Sequence, residues 1–134
     1  MSTNSRALIW ADTVRLVGAY PVFGCGLGAY ESALQPYKTV APLLTVDYAH
    51  NDYLQLLAEL GVLGFAPLLF LVAVIYRRAL RHATRLVRGP DAYLALATAG
   101  GLTAIAIHSL ADFNLYIPAN AMAAVWLGAL ADRP

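Results

Sequence analysis

The spacing of charges constrains this chain most. No Asp, Glu, Lys or Arg occurs between Glu59 and Arg77, between Asp91 and Asp112, or between Asp112 and Asp132, gaps of 17, 20 and 19 residues. A helix rises about 1.5 Å per residue and the hydrocarbon layer of a bilayer is about 30 Å thick, so each gap approaches the length of one spanning helix. Backbone in lipid must satisfy its own hydrogen bonds, which for single segments means helix and not open sheet. The expectation is an all-α integral membrane protein with about three transmembrane helices, near residues 60–76, 92–111 and 117–130, in a membrane domain over 59–134. Residues 1–58 then form a loop region with interfacial helices. Composition agrees, with 60% hydrophobic and 13% charged residues, against about 25% charged in soluble domains.

Five of the nine basic residues, Arg77, Arg78, Arg81, Arg85 and Arg88, fall within twelve positions after the first gap. Such a loop stays in the cytoplasm, which puts His50, His108 and Asp112 together on the outer face. The cluster lacks interleaved aromatics and sits between apolar runs, so nucleic acid is not the expected partner. Cys25 is the sole cysteine, which excludes an internal disulfide and a multi-cysteine metal site. His50 has no His or Cys partner at helical spacing, and neither metal nor cofactor is expected. Arg6 is followed by only five apolar residues before Asp12, unlike a signal peptide. A polar opening and an end on a span read as a piece of a larger membrane protein.

Within the loop region, Leu8, Ile9, Val14, Leu16 and Val17 alternate with Arg6, Asp12 and Arg15, the pattern of an interrupted amphipathic helix over 6–20 that Pro21 ends. Pro21-Val-Phe-Gly-Cys-Gly-Leu-Gly28 follows, a stretch whose glycines allow a sharp turn or a close backbone approach. It is not a dinucleotide fingerprint, because its third glycine comes one place early and no βαβ unit surrounds it. A short helix over 29–34 and a loop over 35–45 containing Pro36 and Pro42 come next. From Asp47 the pattern is helical, with His50 near the start. His50, Leu54, Leu57 and Gly61 share one face and Asp52, Gln55 and Glu59 another. Tyr76 and Arg77 give the first span an aromatic and snorkelling end, and Gly89-Pro90 marks the cytoplasmic turn.

The residues suited to chemistry are few. His50, an imidazole near the outer membrane surface, can accept a proton near neutrality; the alternative is a histidine that caps or anchors an interfacial helix. Asp47 and Asp52 stand close enough in sequence to orient its ring. Arg6 and Arg15 can bind phosphate through paired hydrogen bonds or contact lipid headgroups, and Lys38 is a third candidate. His108 and Asp112, four apart, would face the same way on a continuous helix. With Asn114 they either line a cavity or fix helix packing. Asn114 and Asn120 are also placed to satisfy backbone groups around Pro118.

The segment Ala49-His-Asn-Asp-Tyr-Leu-Gln-Leu-Leu-Ala-Glu-Leu-Gly-Val-Leu-Gly64 resembles the His-x10-Gly signature of the O-antigen ligase and polymerase family, with His50 and Gly61 at the required separation. Arg6-x-x-x-Trp10 and Pro21 to Gly28 resemble the part of the family's large periplasmic loop that precedes this histidine. His108-Ser-Leu-Ala-Asp-Phe-Asn-Leu-Tyr-Ile-Pro-Ala-Asn120 resembles the membrane hairpin that follows it.

The resemblance implies a metal-independent glycosyltransferase of lipopolysaccharide biosynthesis in the bacterial inner membrane, multi-pass, with its active face periplasmic. Its donor is a glycan on an undecaprenyl diphosphate carrier, and its acceptor is a hydroxyl of the lipid A core or of another molecule. By position, His50 matches the essential histidine that takes the proton from the acceptor hydroxyl. Arg6 matches an arginine that holds the diphosphate. His108, Asp112 and Asn114 match no assigned role. Members have many more spans and a further arginine upstream, so the expectation is a C-terminal part, inactive alone and reliant on a missing N-terminal membrane part. The alternatives are a non-enzymatic membrane subunit or inactive fragment, a polymerase or protein glycosylation ligase, and, last, a transporter.

Overall fold

In a computed structural model the regular elements are all helices, and no strand occurs among the described residues, 3–39, 45–85 and 90–131. The order is α1 (Thr3–Ala19), α2 (Tyr30–Leu34), a 3-10 turn (Gln35–Tyr37), α3 (Asp52–Arg85), α4 (Pro90–His108), a second 3-10 turn (Asn114–Tyr116) and α5 (Pro118–Ala131). Pro42, Arg88 and Gly89 lie outside the described residues. One helix among those described, α3, is long and apolar enough to cross a membrane, and little of its apolar stretch is buried inside the protein.

The chain divides into two compact units, Met1–Pro67 with Ser109–Phe113, and Leu68–His108 with Asn114–Pro134. In the first, α1 is continuous where an interruption at Asp12 was expected. Ile9, Asp12, Thr13 and Leu16 are buried along one face, the spacing of an amphipathic helix. Asp12 is tolerated there because its oxygens are occupied. Oδ1 accepts from Arg15 Nη1 at 2.9 Å and Thr39 Oγ1 at 2.8 Å, and Oδ2 accepts the Thr39 N–H at 2.7 Å. Burying such a carboxylate without these donors would be unfavourable by several kcal/mol. Ile9 and Leu16 meet Tyr30, Leu34, Val46, Ala49 and Ala58 in one apolar cluster.

In the second unit the apolar cluster of buried residues is Ala79, Ala99 and Ala131, with Ile75, Ala83 and Leu102 packed against them. Gly101 lies beside Leu127 and Gly128 against Ile75, so the helices approach closely where side chains are small. Thr103 Oγ1 donates to the Ala99 carbonyl at 2.7 Å, which leaves the Tyr76 hydroxyl to donate to Thr103 at 2.9 Å. α3 continues past Tyr76 to Arg85, α4 ends at His108 rather than near Ala111, and α5 runs from Pro118.

Candidate active site

The site is built where the glycine loop meets α3. Gly61 breaks the helix with φ 60° and ψ −176°, and four backbone bonds from the loop replace the missing rungs. In an unbroken helix Val62 and Leu63 would donate to the carbonyls of Ala58 and Glu59. Instead those carbonyls accept from Cys25 N at 2.9 Å and Gly26 N at 3.0 Å, while Val62 N donates to Pro21 O at 2.9 Å and Leu63 N to Val22 O at 3.1 Å. The contact requires glycine on both sides. A Cβ on Gly24 would strike the Glu59 carbonyl, and one on Gly61 the Val22 carbonyl.

This splint covers the polar face of α3. Asp52, Gln55 and Glu59 are 1%, 2% and 1% exposed, so the face that looks solvated in sequence is turned inward. Glu59 Oε2 accepts the Gly28 N–H at 3.1 Å, and Oε1 accepts Gln55 Nε2 at 3.3 Å. Burial, reinforced by the Glu59 carboxylate, pushes the Cys25 thiol above its usual pKa. Tyr30 is pushed up to about 12, first by burial and then by the Asp12 and Glu59 carboxylates.

His50 precedes α3 in a left-handed conformation, φ 52°, uncommon for a residue with a side chain. Asn51 caps the helix, its Oδ1 accepting the Leu54 N–H at 3.0 Å while its Nδ2 donates to Leu110 O at 3.0 Å. Asp52 N donates to Ser109 O at 2.9 Å. These bonds bring the 109–113 turn to the histidine. His50 Nδ1 lies 3.3 Å from Asp112 Oδ1, with side chains 20% and 39% exposed. The ring meets Phe113 edge-on at 5.1 Å, and Phe113 stacks on Tyr48 at 4.4 Å. Asp112 Oδ1 also accepts the Phe113 N–H at 2.9 Å.

The family model described as O-antigen ligase matches residues 1–69. The chain belongs to the O-antigen ligase family. No curated protein matches it. The matched residues of this O-antigen ligase family member include α1, the glycine loop, His50 and the Gly61 break, and they stop short of Asp112.

Sequence reasoning offered Asp47 and Asp52 as partners for the ring; the partner in the structure is Asp112, 62 residues away. His108 and Asp112 do not share one continuous helix, because α4 ends at His108 and a turn follows. His108 lines an open cavity of about 310 Å³ with Asn114 and Asn120. The two amides bond each other, Asn120 Nδ2 to Asn114 Oδ1 at 2.6 Å. Arg6 stands one helical turn before Trp10, whose indole N–H donates to the Ala49 carbonyl at 2.9 Å. Its Nε is buried without a hydrogen-bond partner. Arg15 lies nine residues on, turned about 180° from Arg6 on the helix, 56% exposed and paired with Asp12. The two arginines are not brought together. No group of three His, Cys, Asp or Glu side chains able to hold a metal occurs among the described residues.

Proposed function

We propose that this chain is part of a ligase-type glycosyltransferase that moves a glycan from an undecaprenyl diphosphate carrier to an acceptor hydroxyl at the periplasmic face of the bacterial inner membrane. In this reading α3, α4 and α5 cross the bilayer and 1–58 lies outside it. The carrying observation is the contact of His50 Nδ1 with Asp112 Oδ1 at 3.3 Å. An ionised carboxylate only accepts, so this pairing keeps the proton on Nδ1 and leaves the Nε2 lone pair free to act as base.

The chemistry balances without a metal. Nε2 of His50 takes the proton of the acceptor hydroxyl as its oxygen attacks the anomeric carbon. The bond from that carbon to the diphosphate breaks with its electron pair, and undecaprenyl diphosphate leaves. A guanidinium suits the charge on the departing group. Arg6 is the better supported of the two arginines, because its buried Nε is an unused donor and its helix touches the His50 segment through Trp10. Arg15 is already held by Asp12.

The test is His50→Ala, assayed for transfer from a lipid-linked glycan in a membrane preparation that contains whatever further spans the protein requires. Transfer should fall at least about a hundredfold, the usual contribution of a positioned general base, with insertion unchanged. Transfer at the wild-type rate would remove His50 from the mechanism.

A further inference from the structure

We infer that Gln55 and Trp10 are positioning residues for His50, holding the two backbone polar groups of the preceding residue, Ala49, and so aiming the imidazole at Asp112. The inference rests on His50 being the base. Ala49 is wholly buried, and both of its backbone groups are held by side chains. Its N–H donates to Gln55 Oε1 at 2.9 Å, from α3, and its carbonyl accepts the Trp10 indole N–H at 2.9 Å, from α1. These bonds fix the two successive peptide planes that flank the Ala49 Cα, so that residue has little freedom to rotate, and the next residue is His50 at φ 52°. Such a conformation persists only where its surroundings over-determine it.

Gln55 is itself held. Its Oε1 is committed to Ala49, so its amide nitrogen must face Glu59, and Glu59 in turn receives the Gly28 N–H. Three hydrogen bonds therefore run from the glycine loop to the residue before the base. Gln55 and Glu59 are 2% and 1% exposed, so water does not compete for these bonds. A glutamine serving only to fill space would have no need of an acceptor aimed at one N–H. Neither Gln55 nor Trp10 touches the ring, and both act on it only through the backbone.

The experiment reads the imidazole directly. The full chain in lipid nanodiscs, with ¹⁵N-labelled histidine, is examined by NMR at a pH where the ring is neutral, and signals are assigned with His82→Gln and His108→Gln. The wild type should show His50 mainly with the proton on Nδ1. Gln55→Met, which keeps length and removes both bonds, should shift its tautomer ratio toward Nε2–H about fivefold, the factor worth one ordinary hydrogen bond. Trp10→Phe should shift it the same way by less, and the other two histidines should not change. An unchanged His50 ratio in both variants overturns the inference. If Gln55→Met fails to fold, Trp10→Phe and Glu59→Gln decide by the same criterion. The catalytic reading is tested separately. A tautomer shift together with normal transfer by His50→Ala would sink the mechanism but leave the clamp standing. An unchanged ratio together with lost transfer would do the reverse.

Discussion

The unit around α1 buries charged and amide side chains, whereas the unit around α4 and α5 buries mostly alanine and glycine, with Thr98 and Asn114. Asp12, Asp52, Gln55 and Glu59 are at most 2% exposed in the first, while none of the buried residues described in the second is charged. Water drives apolar groups inward, and an interior can then hold polar groups only where each finds a partner. Lipid gives no such drive, so association depends on close packing and a few hydrogen bonds, such as that of Tyr76 with Thr103. Under the proposed membrane reading, the two units have interiors built for different solvents. The directional, bond-dense one carries the candidate base.

That contrast predicts where substitutions hurt. The largest effect belongs to Gly61→Ala, which combines positive φ with a clash against the Val22 carbonyl. A loss of about 3 kcal/mol or more is expected in the first unit, seen as faster amide exchange across 21–28 and 52–63. Exchange in 95–107 should stay as it was, and faster exchange there would break the separation of the two units. Next comes high pH. Tyr30 is raised from its ordinary 10 to about 12, so the fold favours the neutral phenol. Its contribution is complete below pH 10 and is lost as pH rises through 12, amounting to about 3 kcal/mol. Thr13 Oγ1 donates to the Ile9 carbonyl, so the Tyr30 hydroxyl donates to Thr13 at 2.6 Å, a bond that ionisation removes. Tyr30→Phe should flatten the first unit's thermal stability between pH 10 and 12, and an unaltered slope would assign the loss elsewhere. The smallest effect is Tyr76→Phe in the second unit, about 0.6 kcal/mol by unfolding in lipid. A loss several times larger would show that the second unit also depends on polar contacts.

Much of this was legible in the residues. Charge spacing gave the helical class and the α3 run, Pro21 gave the end of α1, and the glycines of 24–28 announced a close approach. Which surface they approach was not legible, because the partner is the break at Gly61, which sequence reads as one more position on an unbroken helical face. Helical spacing likewise puts Asp52, Gln55 and Glu59 together without saying what faces them, and polar residues on one face read equally as solvated or as buried and paired. Asp12 seemed to interrupt α1 because its partner Thr39 lies 27 residues away. Asp112 was noticed but matched to His108, its neighbour at helical spacing. Its contact with His50 depends on where α4 stops, and no local pattern fixed that end.

The exchanged rungs at Gly61 also bear on how the protein is assembled. The segment from Pro21 to Gly26 supplies bonds that α3 around Gly61 cannot make for itself, and buried backbone left without them would be strongly disfavoured. Neither piece is complete until the other arrives, so the helix and the earlier loop must mature together, and a chain with one of them misplaced advertises the error as unpaired amides in the same helix that His50 precedes.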